Sequence, residues 1–292
     1  VGCRYGAQLA AVDAFVEEHA TNAPPRHLYR LAADVYEVRV RPTLEPERAK
    51  IGREIPGNTD KSNAQVEYEA VVVPERGVVV TLSEARKLGN PTGEIAARKF
   101  VAHRAFAPEE SNDAVYADAI APLVACVQGG GAALALAYGQ TSAGKTFTIE
   151  AVQSVAGTAL LKSGPLRLSC FEICGEKCSD LLTPGAAVEL CDDGTGAVVP
   201  RGLSEFSVAT AAELEEKLAA ARGARATHAT RSNDVSSRSH AVCALGVGGA
   251  GGSGATWGAA GGLLLLVDLA GSERRADQND VERLNEAKEI NA

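Results

Sequence analysis

The stretch Gly139–Thr146, GQTSAGKT, decides how the rest of the chain is read. It fits G-x-x-x-x-G-K-[ST], a loop whose small residues let backbone N–H groups turn inward around phosphate oxygens. Lys145 supplies a mobile point charge for the terminal phosphates, and the Thr146 hydroxyl suits Mg²⁺. A helix starting near Gly144 adds the positive end of its dipole. Before the loop runs AALALAY, Ala132–Tyr138, a short apolar segment expected as a strand buried on both faces. Strand, loop and helix in that order are the context the motif requires.

Outward from the loop, strands and helices are expected to alternate. Ser111–Gln128 reads as a helix capped by Ser111 or Asn112, striped with Val115, Ile120, Leu123, Val124 and Val127 and stopped by Gly129. The helix after the loop should reach about Leu161. Gly164-Pro165 then turns the chain into a strand, Leu166–Ile173. Val188–Pro200 reads as a loop or weak hairpin. Thr210–Glu213 is a capping box opening a helix expected to end near Gly223. His240–Val247 is a strand, Gly248–Gly262 a Gly-rich loop, Leu263–Asp268 a second buried strand, and Val281–Asn291 a helix.

Toward the N-terminus, Ala7–Ala20 carries an apolar helical face, and residues 1–34 read as a helical extension or linker. Val35–Pro42 is strand-like. Residues 43–65 read as a polar loop, Gln65–Val73 and Gly77–Leu82 as a hairpin around Pro74–Gly77, and Phe100–Phe106 as another short strand.

The 292 residues are 46% hydrophobic, enough for one large α/β domain. A net charge of −8 argues against general nucleic-acid binding. No apolar run approaches the ~20 residues of a membrane span, and Val1–Ala20 lacks the pattern of a secretory signal. The chain has no Met and stops in a helical pattern, so it reads as a fragment of a longer protein. Seven Cys are scattered without a C-x-x-C pair. Cys170, Cys174 and Cys178 recur every fourth residue, but that spacing does not converge on a strand, so buried reduced thiols are the better reading than zinc.

Two further stretches bear on the chemistry. LLLLVDLAGSER, Leu263–Arg274, is an apolar strand ending in Asp268, where a Mg²⁺-holding carboxylate belongs, with Gly271 and Glu273 just beyond. NDVSSRSH, Asn233–His240, gathers hydroxyls and an Arg before a strand, which suits a γ-phosphate and Mg²⁺ sensor but alone is a weak signal. Arg39 and Arg41 have two readings of about equal weight, solvated strand residues or part of a site.

Together, AYGQTSAGKTFT, NDVSSRSH and DLAGSER resemble the P-loop, switch I and switch II of the kinesin motor domain. VRVRP (Val38–Pro42), FEICGEKCSDLL (Phe171–Leu182), RATHAT (Arg225–Thr230) and RLNEAKEINA (Arg283–Ala292) extend the resemblance from about Val35 to the end. It implies a P-loop NTPase fold, α/β, with a central mostly parallel sheet flanked by helices on both faces. The motor domain would occupy 35–292, without the family's C-terminal relay helix and the elements beyond it. The implied cofactors are ATP and Mg²⁺, the implied partner is the microtubule (tubulin), with no nucleic-acid polymer and no membrane insertion, and the implied location is the cytoskeleton of the cytoplasm.

The resemblance also implies residue roles. Arg39, Arg41 and Pro42 would border the adenine, with Phe147 nearby. Gly139, Gln140, Thr141, Ser142, Ala143, Gly144, Lys145 and Thr146 would wrap the phosphates. Thr146 and Ser237 would ligate Mg²⁺ with Asp268 behind them. Asn233 and Ser236 would contact the γ-phosphate or the attacking water, and Gly271 would sense the γ-phosphate. Arg238 and Glu273 would pair as the switches close, Glu273 accepting a proton through water. The chain departs from the family in a short segment after Thr148, in Cys174, Gly175 and Cys178, and in the absence of the K-V-D triplet of the depolymerising branch, so no subfamily is assigned. The competing expectation is a non-motile nucleotide- and microtubule-binding module.

Overall fold

The computed structural model describes residues 37–41, 71–87, 90–192, 198–231, 239–248 and 261–271. The chain falls into two units, Val1–Pro108 and Glu109–Ala292.

In the first unit, β1 (Glu37–Arg39) lies parallel to β5 (Arg104–Phe106), and Val40 N–H continues the ladder to the Phe106 carbonyl at 3.0 Å. A second sheet is the antiparallel meander of β2 (Val71–Glu75), β3 (Val78–Lys87) and β4 (Asn90–Val101). The expected hairpin around Pro74–Gly77 is present, but β4 had no recognisable signal. Its sequence, NPTGEIAARKFV, lacks apolar alternation and is a strand only because β3 supplies a partner. Pro74 sits inside β2, where the ladder shifts register, and β2 is an edge strand of this sheet, the position where a missing donor does least harm. The expected strand Phe100–Phe106 is divided between the end of β4 and β5.

The second unit is built on an eight-stranded sheet. Its strands are β6 (Ala132–Ala137), β7 (Leu166–Cys174), β8 (Lys177–Asp180), β9 (Ala187–Asp192), β10 (Val198–Arg201), β11 (Phe206–Val208), β12 (His240–Val247) and β13 (Gly262–Asp268). The order is β10-β9-β8-β7-β12-β13-β6, with β11 on the first residues of β7. Among its described pairs only β13–β6 is parallel. This corrects the expectation of a mostly parallel sheet. Parallel neighbours need a crossover, usually a helix, whereas β12 and β13 are joined by a Gly-rich stretch and β7 to β9 by short turns, which favours antiparallel pairing. The segment FEICGEKCSDLL, whose family counterpart is a strand and helix, is here the β7–β8 hairpin turning at Gly175.

Three helices form a contiguous layer against this sheet. The first, α1, runs from Asn112 to Gln128 as Asn112–Val115, a wide π-turn Tyr116–Ile120, and Ala121–Gln128. Ser111 caps it, its Oγ accepting from Ala114 N–H at 3.3 Å. The second, α2, is Lys145–Leu161, and buries Ile149, Val152, Ala156 and Leu160 along one face. The third, α3, is Ala211–Arg231, and buries Leu214, Leu218 and Ala221. Its capping box is made: Glu213 N–H donates to Thr210 Oγ1 at 3.2 Å, and Glu213 Oε2 accepts from Ala209 N–H at 2.8 Å. The helix continues through Gly223 rather than ending there. Gly223 is exposed, its cost of about 1 kcal/mol against Ala is small, and Ala-rich turns flank it on both sides.

The core lies between these helices and Leu166, Leu168, Leu245, Leu264 and Leu266, all fully buried. Each such side chain contributes about 1.5–3 kcal/mol. Gly262 lets α1 and β13 meet, since a Cβ there would sit 1.9 Å from the Val127 carbonyl oxygen. Strand β6 is not buried on both faces as expected. It pairs with β13 on one side, and Leu134, Leu136 and Tyr138 on its outward face are 51–76% exposed. The expected helices Ala7–Ala20 and Val281–Asn291, the loop 43–65 and most of the Gly-rich loop lie outside the described residues.

Candidate nucleotide site

Parallel pairing of β6 with β13 sets Ala137 opposite Asp268, so two strand ends meet at one edge of the sheet. Leu269 N–H extends the ladder to the Ala137 carbonyl at 3.2 Å. From Ala137 the chain enters the loop Gly139–Gly144, and from Asp268 it runs to Ala270 and Gly271. The edge where an α/β sheet switches direction of travel is where such folds bind ligands.

The loop is held by local bonds that leave its N–H groups at the start of α2. Ala143 N–H donates to the Gln140 carbonyl at 3.1 Å, and Thr148 N–H to that of Gly144 at 3.1 Å. Gly144 is at φ +90°, a left-handed conformation that gives Gly there a steric reason. Ser142, at φ +65°, is the one non-Gly residue with positive φ among the described residues, and such strain collects at ligand clamps. No side chain caps α2, and the positive end of a helix dipole favours an anion at such a terminus. Lys145 Nζ donates to the carbonyls of Gly139 at 2.8 Å and Gln140 at 2.9 Å. Phe147, in the first turn of the helix, is 65% exposed.

Beneath the loop lies a buried polar network. Thr146 Oγ1 donates to Asp268 Oδ2 at 2.6 Å. Arg225, from α3, places Nη1 2.5 Å from the same oxygen and Nε 3.4 Å from Glu172 Oε1 on β7. Its Nη2 reaches the Ser239 carbonyl at 3.3 Å, and Ser239 Oγ donates to Glu172 Oε1 at 2.5 Å. His240 Nδ1 accepts from Ala270 N–H at 3.1 Å, which fixes the imidazole as its Nε2–H tautomer and ties β12 to the residue before Gly271. Burial, and then the charge of Arg225, lower the His240 pKa from its usual value. Glu150, one turn after Thr146, has its carboxyl raised by burial, against the pull of Arg222 and Arg225. A cleft of about 40 Å³ runs between α2, α3 and β12, and Thr146, Glu150, Arg225, Cys170, Cys243 and Asp268 help line it.

The donor set fits Mg²⁺. Thr146 Oγ1 and the Asp268 carboxylate offer hard oxygen donors, and Asp268 Oδ1 is buried with no hydrogen-bond partner, an acceptor that would suit a cation or its water.

The structure brings together Gly139 to Phe147, Asp268 and Gly271. Arg39 and Arg41 belong to the first unit, where burial lowers the Arg39 pKa. Pro42, Asn233, Ser236, Ser237, Arg238 and Glu273 lie outside the described residues. Arg225, Glu172 and Ser239 were missed as site residues. Arg225 had a readable signal: it continues the buried stripe Leu214, Leu218, Ala221, where a charge demands a partner. Cys170 is buried, Cys174 exposed and Cys178 between them, and no metal-holding group of Cys, His, Asp and Glu occurs among the described residues. No described helix is long and apolar enough to cross a membrane.

Known proteins align with this geometry. Residues 39–292 match the family model of the kinesin motor domain. Kinesin-like protein KIN-13B of Arabidopsis thaliana is 31% identical over 235 residues, 76% of this chain and 34% of that protein. Human kinesin-like protein KIFC2 is 34% identical over 224 residues, 66% of this chain and 26% of that protein. The chain thus spans about a third or less of the length of these relatives. A solved structure of a fast kinesin superposes with TM-score 0.63 at 25% identity, covering 88% of this chain and 71% of the other. On the strength of this match and of the P-loop, strand order and Asp268 described above, the chain belongs to the kinesin motor-domain family.

Proposed function

We propose that this domain hydrolyses Mg-ATP and couples the turnover to attachment and movement on microtubules. The observation that carries the nucleotide half of the reading is the Thr146–Asp268 hydrogen bond, which joins the P-loop helix to the strand end that precedes Gly271. Motor function would reside in 35–292, with 1–34 as an extension.

In this reading Lys145 exchanges the Gly139 and Gln140 carbonyls for phosphate oxygens, while the first-turn N–H groups of α2 take the rest of the negative charge. Thr146 and Ser237 would hold Mg²⁺ with Asp268 behind them. When bound, that ion neutralises charge on the phosphates and supplies no covalent chemistry. Gly271 N–H meets the γ-phosphate, at a height set by the bond from Ala270 to His240. Asn233 and Ser236 orient the attacking water, Glu273 takes its proton through a second water, and Arg238 closes onto Glu273. Phe147 borders the base. Catalysis of this kind is positioning plus charge stabilisation.

The test is steady-state ATP hydrolysis with and without polymerised tubulin, for wild type and Glu273→Ala. Microtubule-stimulated turnover in wild type, and ATP binding without turnover in the variant, are expected. Normal turnover in the variant would sink the role of Glu273. Tight microtubule binding with no turnover in wild type would replace the motor with a binding module.

A further inference from the structure

Two thiols stand face to face on the central strands of the sheet. The β7–β12 ladder sets Cys170 directly opposite Cys243; the two are 3% and 2% exposed, and both are free thiols. The Cys170 carbonyl accepts from Leu181 N–H, just past β8, at 2.9 Å. In an antiparallel ladder the N–H and C=O of one residue point to the same side, so those of Cys170 point away from β12. Cys170 and Cys243 are therefore a non-hydrogen-bonded pair, the closer kind, whose Cα atoms lie about 4.5 Å apart. A disulfide spans Cα atoms about 4.4–6.8 Å apart. Among the described residues no other two cysteines face each other across a ladder: Cys174 stands opposite Lys177, Cys178 opposite Ile173 and Val188, and Cys191 opposite Val199. Both facing thiols line the cleft between α2, α3 and β12, which measures about 40 Å³. A water needs about 10–15 Å³, so a two-oxygen molecule such as hydrogen peroxide fits there, and a tripeptide disulfide such as oxidised glutathione does not.

We propose that Cys170 and Cys243 are an oxidation site for small hydroperoxides, closing into a disulfide that locks β7 to β12. The oxidant, hydrogen peroxide, enters by the cleft. The Cys243 sulfur attacks one peroxide oxygen, the O–O bond breaks, and the leaving hydroxide takes the thiol proton as water. The Cys170 sulfur then attacks the sulfenic sulfur of Cys243, the S–O bond breaks, and the Cys170 proton leaves with that hydroxide as a second water. Two thiols are oxidised to one disulfide, and one peroxide is reduced to two waters. A hydrogen bond to Cys243, and then burial, push the Cys170 thiol well above its usual range. Cys170 is therefore the second sulfur to react, and the closure is slow beside that of an exposed, acidic thiol. Cys243 also stands opposite Leu266, so the bridge would sit beside β13, two residues before Asp268. It would tie together strands far apart in sequence, and such a link stabilises mainly by constraining the unfolded chain.

The experiment incubates the whole folded chain with hydrogen peroxide or with oxidised glutathione, blocks the remaining thiols in denaturant, and maps the peptides by mass spectrometry. Peroxide should join the Cys170 and Cys243 peptides with loss of two hydrogens, and oxidised glutathione should not. The bridged protein should melt about 5–15 °C above the reduced one, with dithiothreitol reversing the gain. Cys243→Ala should show no such gain. Sulfinic acid on either residue in place of the bridge overturns the proposal. So does recovery of both thiols unmodified at a peroxide concentration that oxidises the exposed Cys126 and Cys174. Equal bridging by oxidised glutathione overturns the cleft as the route. The same gain in Cys243→Ala assigns the lock to other thiols and overturns it equally. If Cys243→Ala does not fold, the wild-type peptide map decides alone: no joined Cys170–Cys243 peptide refutes the site.

Discussion

Replacing Asp180 tests the logic of the β7–β8 corner quantitatively. Asp180 ends β8, is 1% exposed, and serves three backbone donors. Oδ1 accepts from Leu182 N–H at 2.7 Å and Thr183 N–H at 2.9 Å, and Oδ2 accepts from Ser204 N–H at 2.7 Å. One carboxylate thus stitches the chain after β8 to the loop before β11. Bonds to a charged acceptor contribute about 1.5–3 kcal/mol each, and orphaning a buried N–H costs about as much. Asp180→Asn keeps the two Oδ1 bonds but points an amide N–H₂ at Ser204 N–H, a donor facing a donor, for a loss of about 2–3 kcal/mol. Asp180→Ala strands all three donors and should lose about 4.5–9 kcal/mol, a large part of a typical domain's 5–15 kcal/mol. Denaturant unfolding followed by circular dichroism, with m-values compared, measures both. An Asn variant within about 0.5 kcal/mol of wild type, or an Ala variant no worse than Asn, would refute the three-donor account.

Gly262→Ala places a methyl 1.9 Å from the Val127 carbonyl and must push α1 off β13; a loss of about 1–3 kcal/mol in the same unfolding assay is expected. Thr210→Ala removes the α3 cap and should cost about 1 kcal/mol, with helix content otherwise kept. Lys145→Met should abolish binding of fluorescent ADP while leaving the unfolding midpoint near wild type, because Nζ bonds the Gly139 and Gln140 carbonyls of the loop. His240 adds a pH dependence. Its pKa is lowered in the fold, so its contribution is full above the unfolded value of about 6.5 and is lost as pH falls through the folded value. Stability measured from pH 7.5 to 5.5 should fall more steeply in wild type than in His240→Asn; identical slopes would count against the Ala270 bond.

The elements that could be read from the chain are those whose local chemistry agrees with their final environment. The α2 helix, the Ser111 cap, the Thr210–Glu213 box and the apolar runs of β7, β12 and β13 each carry their own signal. So does the P-loop, where residue type and spacing are themselves the site. The unreadable features depended on partners distant in sequence. β4 is a strand because β3 lies beside it, and the direction of β12 is set by its neighbours rather than by its composition. The apolar run of β6 resembles a doubly buried strand, but burial is decided by the elements that pack on its second face, which no local pattern encodes. Arg225 shows the same limit within the site: the helix stripe marks it as buried, but only the folded sheet names Glu172 and Asp268 as its partners.

The parallel pairing of β6 and β13 has a kinetic consequence. Thr146 and Asp268 meet although they are 122 positions apart in sequence, whereas hairpins such as β7–β8 close over a few residues. Chain closure over long separations is entropically expensive and is made late, once local structure exists to reward it. The loop Gly139–Gly144 can therefore curl early, but the Thr146–Asp268 half of the site exists only after β13 has docked between β12 and β6. Mg²⁺-dependent nucleotide capture should appear as the slowest phase of refolding. A nucleotide supplied during that phase would bind the finished sheet alone and drain the population of partly assembled chains toward it.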